Sequence, residues 1–410
     1  MSIIAAGIVS LLTVTAGLPE VMWMGEPSVS GSAASMGMGQ CGFMDDSPLG
    51  FLNNPSLLGF SKDGLQVELS AGMDLFSEKR TRLVYDTFES SIGESEVAYN
   101  RDLGFFPGGA AVSVRGAGGL PSSLAFAAGW RVPALFEYNY DRILRDAAYV
   151  KTGEEMLDVS GMQNSFHAAV AFMPSDVFTF GLAGSYVTGS RNVDWRVSYV
   201  DPSLDSVWSR REEDISGLSA TGSITYAAHD RVLVSGAVEY PMTLSVSPTM
   251  EGDPVSWSTL SNDDYDLDRP MKVRLGSIYV PGNILMSRIR GEFYWSDDGS
   301  LEYQDESLGL HNSWGISAGV ENDLPGGPTA RFGFNYRRSP ISSSLDRMGF
   351  TAGLGFVMND WNVDLGASFS PDRWRQTQVT GLPSFVSGDS LHVEETETRL
   401  MVSISRAFDI

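Results

Sequence analysis

The sequence predicts an all-β chain: a 14-stranded antiparallel transmembrane β-barrel with an N-terminal plug, or hatch, in its lumen. Three observations carry that prediction. Apolar and polar side chains alternate with period two in one segment after another from Gly64 to the C-terminus. The connections between these segments are alternately short and long. After the first eighteen residues no apolar run is long enough for a helical span, so strands must do any crossing of a membrane.

Taken in order, residues Ile3 to Leu18 (IIAAGIVSLLTVTAGL) form an apolar run ending in small residues. It reads as a signal peptide, residues 1–16, cleaved after Val14-Thr15-Ala16. The first basic residue of the chain is Lys62, so the usual positive leader is missing. A misassigned start, a weak signal and a short buried helix all fit that observation.

Residues 17–63 read as the plug. Met36-Gly37-Met38-Gly39-Gln40-Cys41-Gly42-Phe43-Met44-Asp45-Asp46 has too much glycine for a helix, and Asn53-Asn54-Pro55-Ser56 removes a donor where a strand needs one. Cys41 is the single cysteine, so no intramolecular disulfide can form; it reads as a small buried residue of the plug.

The barrel, residues 64–410, opens with Leu65, Val67, Leu69, Ala71, Met73 and Leu75 interleaved by Gln66, Glu68, Ser70, Gly72 and Asp74. Similar segments recur near 109–115, 123–133, 163–173, 177–189, 214–227, 231–240, 270–281, 284–296, 312–322, 329–337, 347–357, 361–370 and 396–408. Fourteen is an even number, as single-chain bacterial barrels require. Short turns at 116–119, 173–176, 228–230, 281–283, 324–328 and 359–360 alternate with long polar connections. That segregation predicts periplasmic turns and termini, with extended loops outside the cell. Phe172, Tyr226, Tyr279, Phe356, Trp361 and Phe408 sit beside the short turns, as an interfacial aromatic girdle would. Tyr186, Tyr240, Trp295, Trp314, Tyr336 and Phe369 mark the opposite ends.

Charge excludes several functions. With 28 basic against 51 acidic residues the formal net charge is -23, which opposes nucleic acid and a bare anionic lipid surface. The four histidines match no metal motif, and the acidic stretch Asn262 to Asp268 lacks the glycine and terminal glutamate of a calcium loop. We therefore expect no metal and no cofactor. Ser165 and His167 share a strand face, but no nucleophile elbow accompanies them, so no catalytic residue and no enzyme activity are expected.

The plug phrase MGMGQCGFMDDSPLGFLNNPSLLGF resembles the FadL/TodX family of outer-membrane transporters for hydrophobic compounds. So do LAFAAGWRVPALFEYNYD, RPMKVRLGSIYVP, ARFGFNYRRSPI, FTAGLGFVMNDWNVDLGASFS and ETRLMVSISRAF, in family-like order over nearly the whole mature chain. The resemblance implies a bacterial outer-membrane location and passive transport of hydrophobic or amphipathic compounds such as long-chain fatty acids. It aligns the family's Asn-Pro-Ala hatch motif with Asn54, Pro55 and Ser56, serine replacing alanine. It also implies a gap at a kinked third strand, where this chain has Pro133; proline cannot donate to a ladder, though it could equally begin the following loop. The implied partners are outer-membrane lipid and lipopolysaccharide, a hydrophobic small-molecule ligand and, during biogenesis, the barrel-assembly machinery. A related branch of plugged barrels serves protein secretion without transporting small molecules, and that alternative stays open.

On the polar strand faces, Lys272, Arg274, Arg288, Arg290, Arg331 and Arg337 cluster along one wall. They read as cations that bind a ligand carboxylate, or as partners of Glu68, Glu292, Asp364 and the plug's Asp45 and Asp46. In the long connections, Tyr138 to Leu157 carries Ile143, Leu144, Ala147 and Ala148 at helical spacing, the pattern of a loop helix beside a lipid groove or of a loop packing on itself.

Overall fold

The computed structural model describes residues 26–27 and 31–409, except 86–87, 89, 118, 146–149, 254–262, 304–305, 308, 342 and 377–390. The expected signal peptide lies outside the described residues. Fourteen strands form the wall. They are β1 (Gly64–Tyr85), β2 (Ser91–Arg115), β3 (Leu124–Leu135, continued by Tyr138–Arg145), β4 (Lys151–Ser175), β5 (Phe178–Tyr199), β6 (Val207–His229) and β7 (Val232–Glu239, continued by Met242–Gly252). The rest are β8 (Tyr265–Arg269, continued by Lys272–Tyr279), β9 (Arg288–Ser296), β10 (Ser313–Asp323), β11 (Thr329–Arg337), β12 (Arg347–Met358), β13 (Trp361–Gln376) and β14 (Leu391–Phe408). Each pairs antiparallel with the next, and β14 returns to β1 in a register running from Leu65↔Phe408 to Arg82↔Leu391. Closure leaves no sheet edge, the condition for backbone to cross a hydrocarbon layer.

The first strand shows why the wall is inside out compared with a soluble protein. Leu69 points outward and is 63% exposed, whereas its neighbour Glu68 points into the lumen and is 2% exposed. The same holds round the barrel: Leu182, Leu218 and Phe332 face out, and Thr225, Ser235 and Ser403 face in. An apolar band outside a polar interior is the signature of a lipid-embedded barrel.

Farther from the short turns this polarity reverses, and here the structure corrects the sequence reading. The long connections are mostly not loops but continuations of the strands, up to 25 residues long in β2 and β4. In β5 the inward face is Thr179, Gly181, Ala183 and Ser185 near the short turn, then Val187, Val193, Trp195 and Val197; the outward face changes from Phe180 and Leu182 to Asp194 and Arg196. Roughly ten tilted residues span the hydrocarbon. Beyond it the wall stands in water, so apolar side chains turn inward.

They meet in a second core built from Phe136, Tyr138, Tyr140, Leu157, Trp195, Leu244, Val246 and Tyr265, among others. Buried ion pairs are threaded through it: Arg80 with Glu78 at 2.7 Å, Arg142 with Glu155 at 2.9 Å, and Arg211 with Glu213 at 2.7 Å. The stretch Tyr138 to Leu157, read as a loop helix or a self-packed loop, instead contributes two antiparallel strand segments, with Tyr138↔Val159 and Tyr140↔Leu157 in register; Ala147 and Ala148 lie outside the described residues. Period two wins because Tyr138, Tyr140 and Leu144 enter this core while Ile143 faces out. The acidic stretch likewise becomes a strand at Tyr265–Arg269, with Tyr265 buried and donating to Glu213 at 3.0 Å.

Candidate functional site: the lumen and its N-terminal segment

Residues 31–61 cross the lumen. Ser32 caps the short helix α1 (Ala33–Gly37) and Ser47 caps α2 (Pro48–Phe51), whose first residue is proline; a 3-10 turn follows at Pro55–Phe60. Asp45 ties the pieces together by accepting from the Ser32 nitrogen at 2.9 Å and the Ser32 hydroxyl at 2.8 Å. Wall glycines let the backbones touch: a methyl at Gly333 would lie 2.0 Å from the Gly39 nitrogen, and one at Gly181 2.2 Å from the Ser56 nitrogen.

Hydrogen bonds fasten the segment on all sides. Glu68 accepts from the Leu49 nitrogen at 3.0 Å and Glu292 from the Met44 nitrogen at 2.6 Å. Asn54 donates to the Ser235 hydroxyl at 2.8 Å, and the Ser56 hydroxyl donates to Asn54 Oδ1 at 2.8 Å while lying 2.6 Å from Thr225. Alanine at position 56 could make neither hydroxyl contact.

The sequence-predicted cations divide into two groups. Arg288 and Arg290 hold Asp46 at 2.8 and 2.6 Å, and Arg290 lies 3.6 Å from Asp45. Asp46 is 45% accessible, yet it is enclosed by the wall. Enclosure opposes its ionisation, but the two guanidiniums outweigh this and hold the carboxyl at about 2 instead of the ordinary 3.8. Arg331 is fixed by Glu321 and Asp364, each at 2.6 Å.

Lys272, Arg274 and Arg337 instead line a cavity of about 350 Å³ between the N-terminal segment, represented by Gln40 and Phe43, and the outer core, represented by Val187 and Met242. Five arginines that the sequence reading missed line it too, among them Arg131 of β3 and Arg269 of β8. Arg131, Arg269, Lys272 and Arg274 all interact with Glu239, which lies 3.5 Å from Arg274, while Glu292 also faces Arg274 and Asp298 faces Lys272. The partners of Arg131 and Arg269 are neutral. Arg269 donates to Gln163, and Arg131 donates to the Asn53 side-chain oxygen and, at 3.0 Å, to His167 Nε2. The signal was present in the strand phase: Ala125, Ala127, Gly129 and Arg131 fall on one face, the lumenal one.

Arg131 also sits at a break in the wall. The β2–β3 ladder runs from Arg115↔Ala125 to Gly109↔Arg131 and stops. On the other edge, β3 slips register against β4 between Arg131 and Ala134, which places Val132 and Pro133 in a bulge. Residues Glu26–Pro27 pair with Ala134 and Leu135, and since β4 takes one edge of β3 there, they occupy the edge that faces β2.

Ser165 and His167 do meet, at 2.8 Å. Because Arg131 donates to the same imidazole nitrogen, protonating the ring would set one cation against another, an arrangement that opposes general-base chemistry. Among the described residues no group of metal-ligating side chains is assembled.

No protein-family model matches the chain, and no curated protein matches it in sequence. Solved structures do match in fold. A Pseudomonas aeruginosa FadL homologue superposes with a TM-score of 0.65 at 13% identity, covering 94% of this chain and 100% of that one. The P. putida toluene transporter TodX gives 0.61 at 14% identity, covering 93% and 100%, and the Ralstonia pickettii toluene transporter TbuX gives 0.60 at 15%, covering 93% and 100%. The chain therefore has the fold of the FadL and TodX barrels, over nearly its entire described length.

Proposed function

We propose that this barrel lies in a bacterial outer membrane and passively carries inward a hydrophobic compound with an anionic head, such as a long-chain fatty acid. The short turns and both termini face the periplasm, and residues 31–61 act as the hatch. The observation that carries the reading is a lumenal cavity in which Arg131, Arg269, Lys272 and Arg274 outnumber the carboxylates beside them, Glu239, Glu292 and Asp298. Buried charge without a counter-charge is costly, and a carboxylate ligand would supply one.

The cavity volume falls in the range of small-ligand sites, roughly 300–1,000 Å³. A neutral monoaromatic would leave the excess of cations in the lining uncompensated, so the charged lining favours an anionic head over a plain hydrocarbon. Burial of an alkyl chain would add about 0.8 kcal/mol per methylene. The break between β2 and β3 above Gly109 and Arg131, where Glu26–Pro27 covers the β3 edge, would offer a sideways exit beside Pro133 once that segment moves aside.

Mass spectrometry of small molecules retained by the purified protein tests this directly. Recovery of alkyl carboxylates, with dodecanoate binding far more tightly than dodecanol or toluene, is the expected result. Equal affinity for all three would overturn it. Recovery of a stable protein complex with an empty lumen would support a secretion partner instead.

A further inference from the structure

Arg131 touches three things at once: the cavity, the hatch and the third-strand break. Its guanidinium lines the cavity and donates to Asn53, the residue just before Asn54-Pro55-Ser56. Its backbone forms the last β2–β3 pair before the bulge. Most of the other buried lumenal arginines have a carboxylate: Arg80 has Glu78, Arg290 has Asp45 and Asp46, Arg331 has Glu321 and Asp364, and Arg399 has Asp74 at 3.1 Å. Arg131 makes its bonds to an amide oxygen and a neutral ring nitrogen.

We infer that Arg131 is a shared ligand of hatch and cargo: Asn53 holds it when the cavity is empty, and the cargo's anionic head takes it when the cavity fills, releasing the hatch from β3. This rests on the anionic-cargo reading above. The physical basis is an inequality. A guanidinium–carboxylate hydrogen bond is charge-assisted at both ends and roughly twice as strong as one to a neutral acceptor, so an anion in the cavity outcompetes the Asn53 amide. Asn53 itself is buried, and once Arg131 leaves its side chain keeps the bond to the Gly42 carbonyl, at 3.3 Å, while its backbone stays bonded to Gly50. Loss of that fastening loosens the segment that bears Asn54, Pro55 and Ser56, next to a strand whose ladder is already incomplete. Arg131 is thus a positioning residue, acting on the hatch through Asn53.

Competition has a signature that a merely structural contact lacks. Asn53 does not line the cavity, so Asn53→Ala should bind dodecanoate about tenfold more tightly, because Arg131 no longer has to be withdrawn from the hatch. Arg131→Gln should bind it about tenfold more weakly. Amide hydrogen exchange over Leu52–Phe60, measured on the full chain in a maltoside detergent, supplies the second readout. In the wild type, dodecanoate should accelerate exchange. In Asn53→Ala exchange should be fast with or without dodecanoate, and in Arg131→Gln fast and insensitive to it. The double variant should be no faster than either single one.

Unchanged or weaker binding by Asn53→Ala overturns the inference. So does wild-type exchange that saturating dodecanoate leaves unmoved, or additive exchange in the double variant. If no form binds dodecanoate, the cargo reading fails; the ligand-free exchange of the two single variants and the double variant still decides whether Arg131 and Asn53 act as one contact.

Discussion

Arg290 and Arg274 stand on neighbouring strands of one lumenal wall, yet they live in different electrostatic worlds. Arg290 is 2% exposed and has two carboxylates brought to it by the N-terminal segment. Arg274 faces the cavity with two like-charged neighbours on its own strand, Arg269 and Lys272, a third across the lumen at Arg131, and two glutamates, Glu239 and Glu292, set among them. The side chain is the same; the difference lies in how far the acidic pair Asp45-Asp46 reaches. One half of the wall fastens the N-terminal segment and the other carries an excess of positive charge, the distinction on which the proposed hatch and cargo site rest.

The largest test of this contrast removes the fastening. Arg290→Ala leaves Asp45 without an arginine and Asp46 with only Arg288, and breaking a buried pair from one side costs about 3–5 kcal/mol. Cys41 reports the outcome: it is buried in the same segment, and burial, reinforced by Glu292, pushes its thiol well above the usual range. A polar maleimide should leave the wild type untouched and label Arg290→Ala quickly, with a rise in planar-bilayer conductance. A variant as unreactive as the wild type would show that the charges do not hold the hatch.

Next comes the cavity. Lys272→Ala combined with Arg274→Ala removes two charge-assisted contacts to a bound carboxylate, each worth about 1.5–3 kcal/mol, so dodecanoate affinity should fall on the order of 100-fold or more. The melting temperature should hold or rise, since two mutually repelling buried cations disappear. Loss of stability in place of affinity would place these residues with Arg290. Isothermal titration and thermal unfolding on one sample separate the two.

Acid reaches the fastening through Asp46. The Asp46 pKa is depressed, so its contribution to stability is complete above about 4, the ordinary carboxyl value, and is lost as pH falls toward the folded value of about 2. Planar-bilayer conductance should therefore stay low down to about pH 4 and rise below it. Asp46→Asn should flatten that dependence. A rise already near pH 6 would point to some other group.

How much of this was legible beforehand follows the membrane boundary. Within the lipid belt one periodicity serves one environment, so Leu69 out and Glu68 in could be read directly, as could the short turns. Outside the belt the period persists while the polarity inverts. Tyr138, Tyr140 and Trp195 therefore resembled loop aromatics when they are the inward face of strands. The wall cations were found where they cluster in sequence, at Lys272 to Arg290. Arg131, isolated in an apolar strand, and Arg269, at the end of an acidic run, were not, because closing the barrel is what brings β3 opposite β8.

The smallest expected effect comes from a contact that involves no net charge. Ser56→Ala removes the hydroxyl that donates to Asn54 Oδ1 and meets Thr225, leaving a buried acceptor unpaired at a cost of about 1–3 kcal/mol. Asn54 keeps its own bond to Ser235 and the Ser56 nitrogen keeps Ser223, so the 3-10 turn should stay seated. Thermal unfolding should shift down modestly, with Cys41 still protected and conductance still low. Should Ser56→Ala expose Cys41 as fully as Arg290→Ala does, the hatch is held by its hydrogen-bonded motif as much as by Asp45 and Asp46. The division of the wall into fastening cations and cargo cations would then lose its energetic basis.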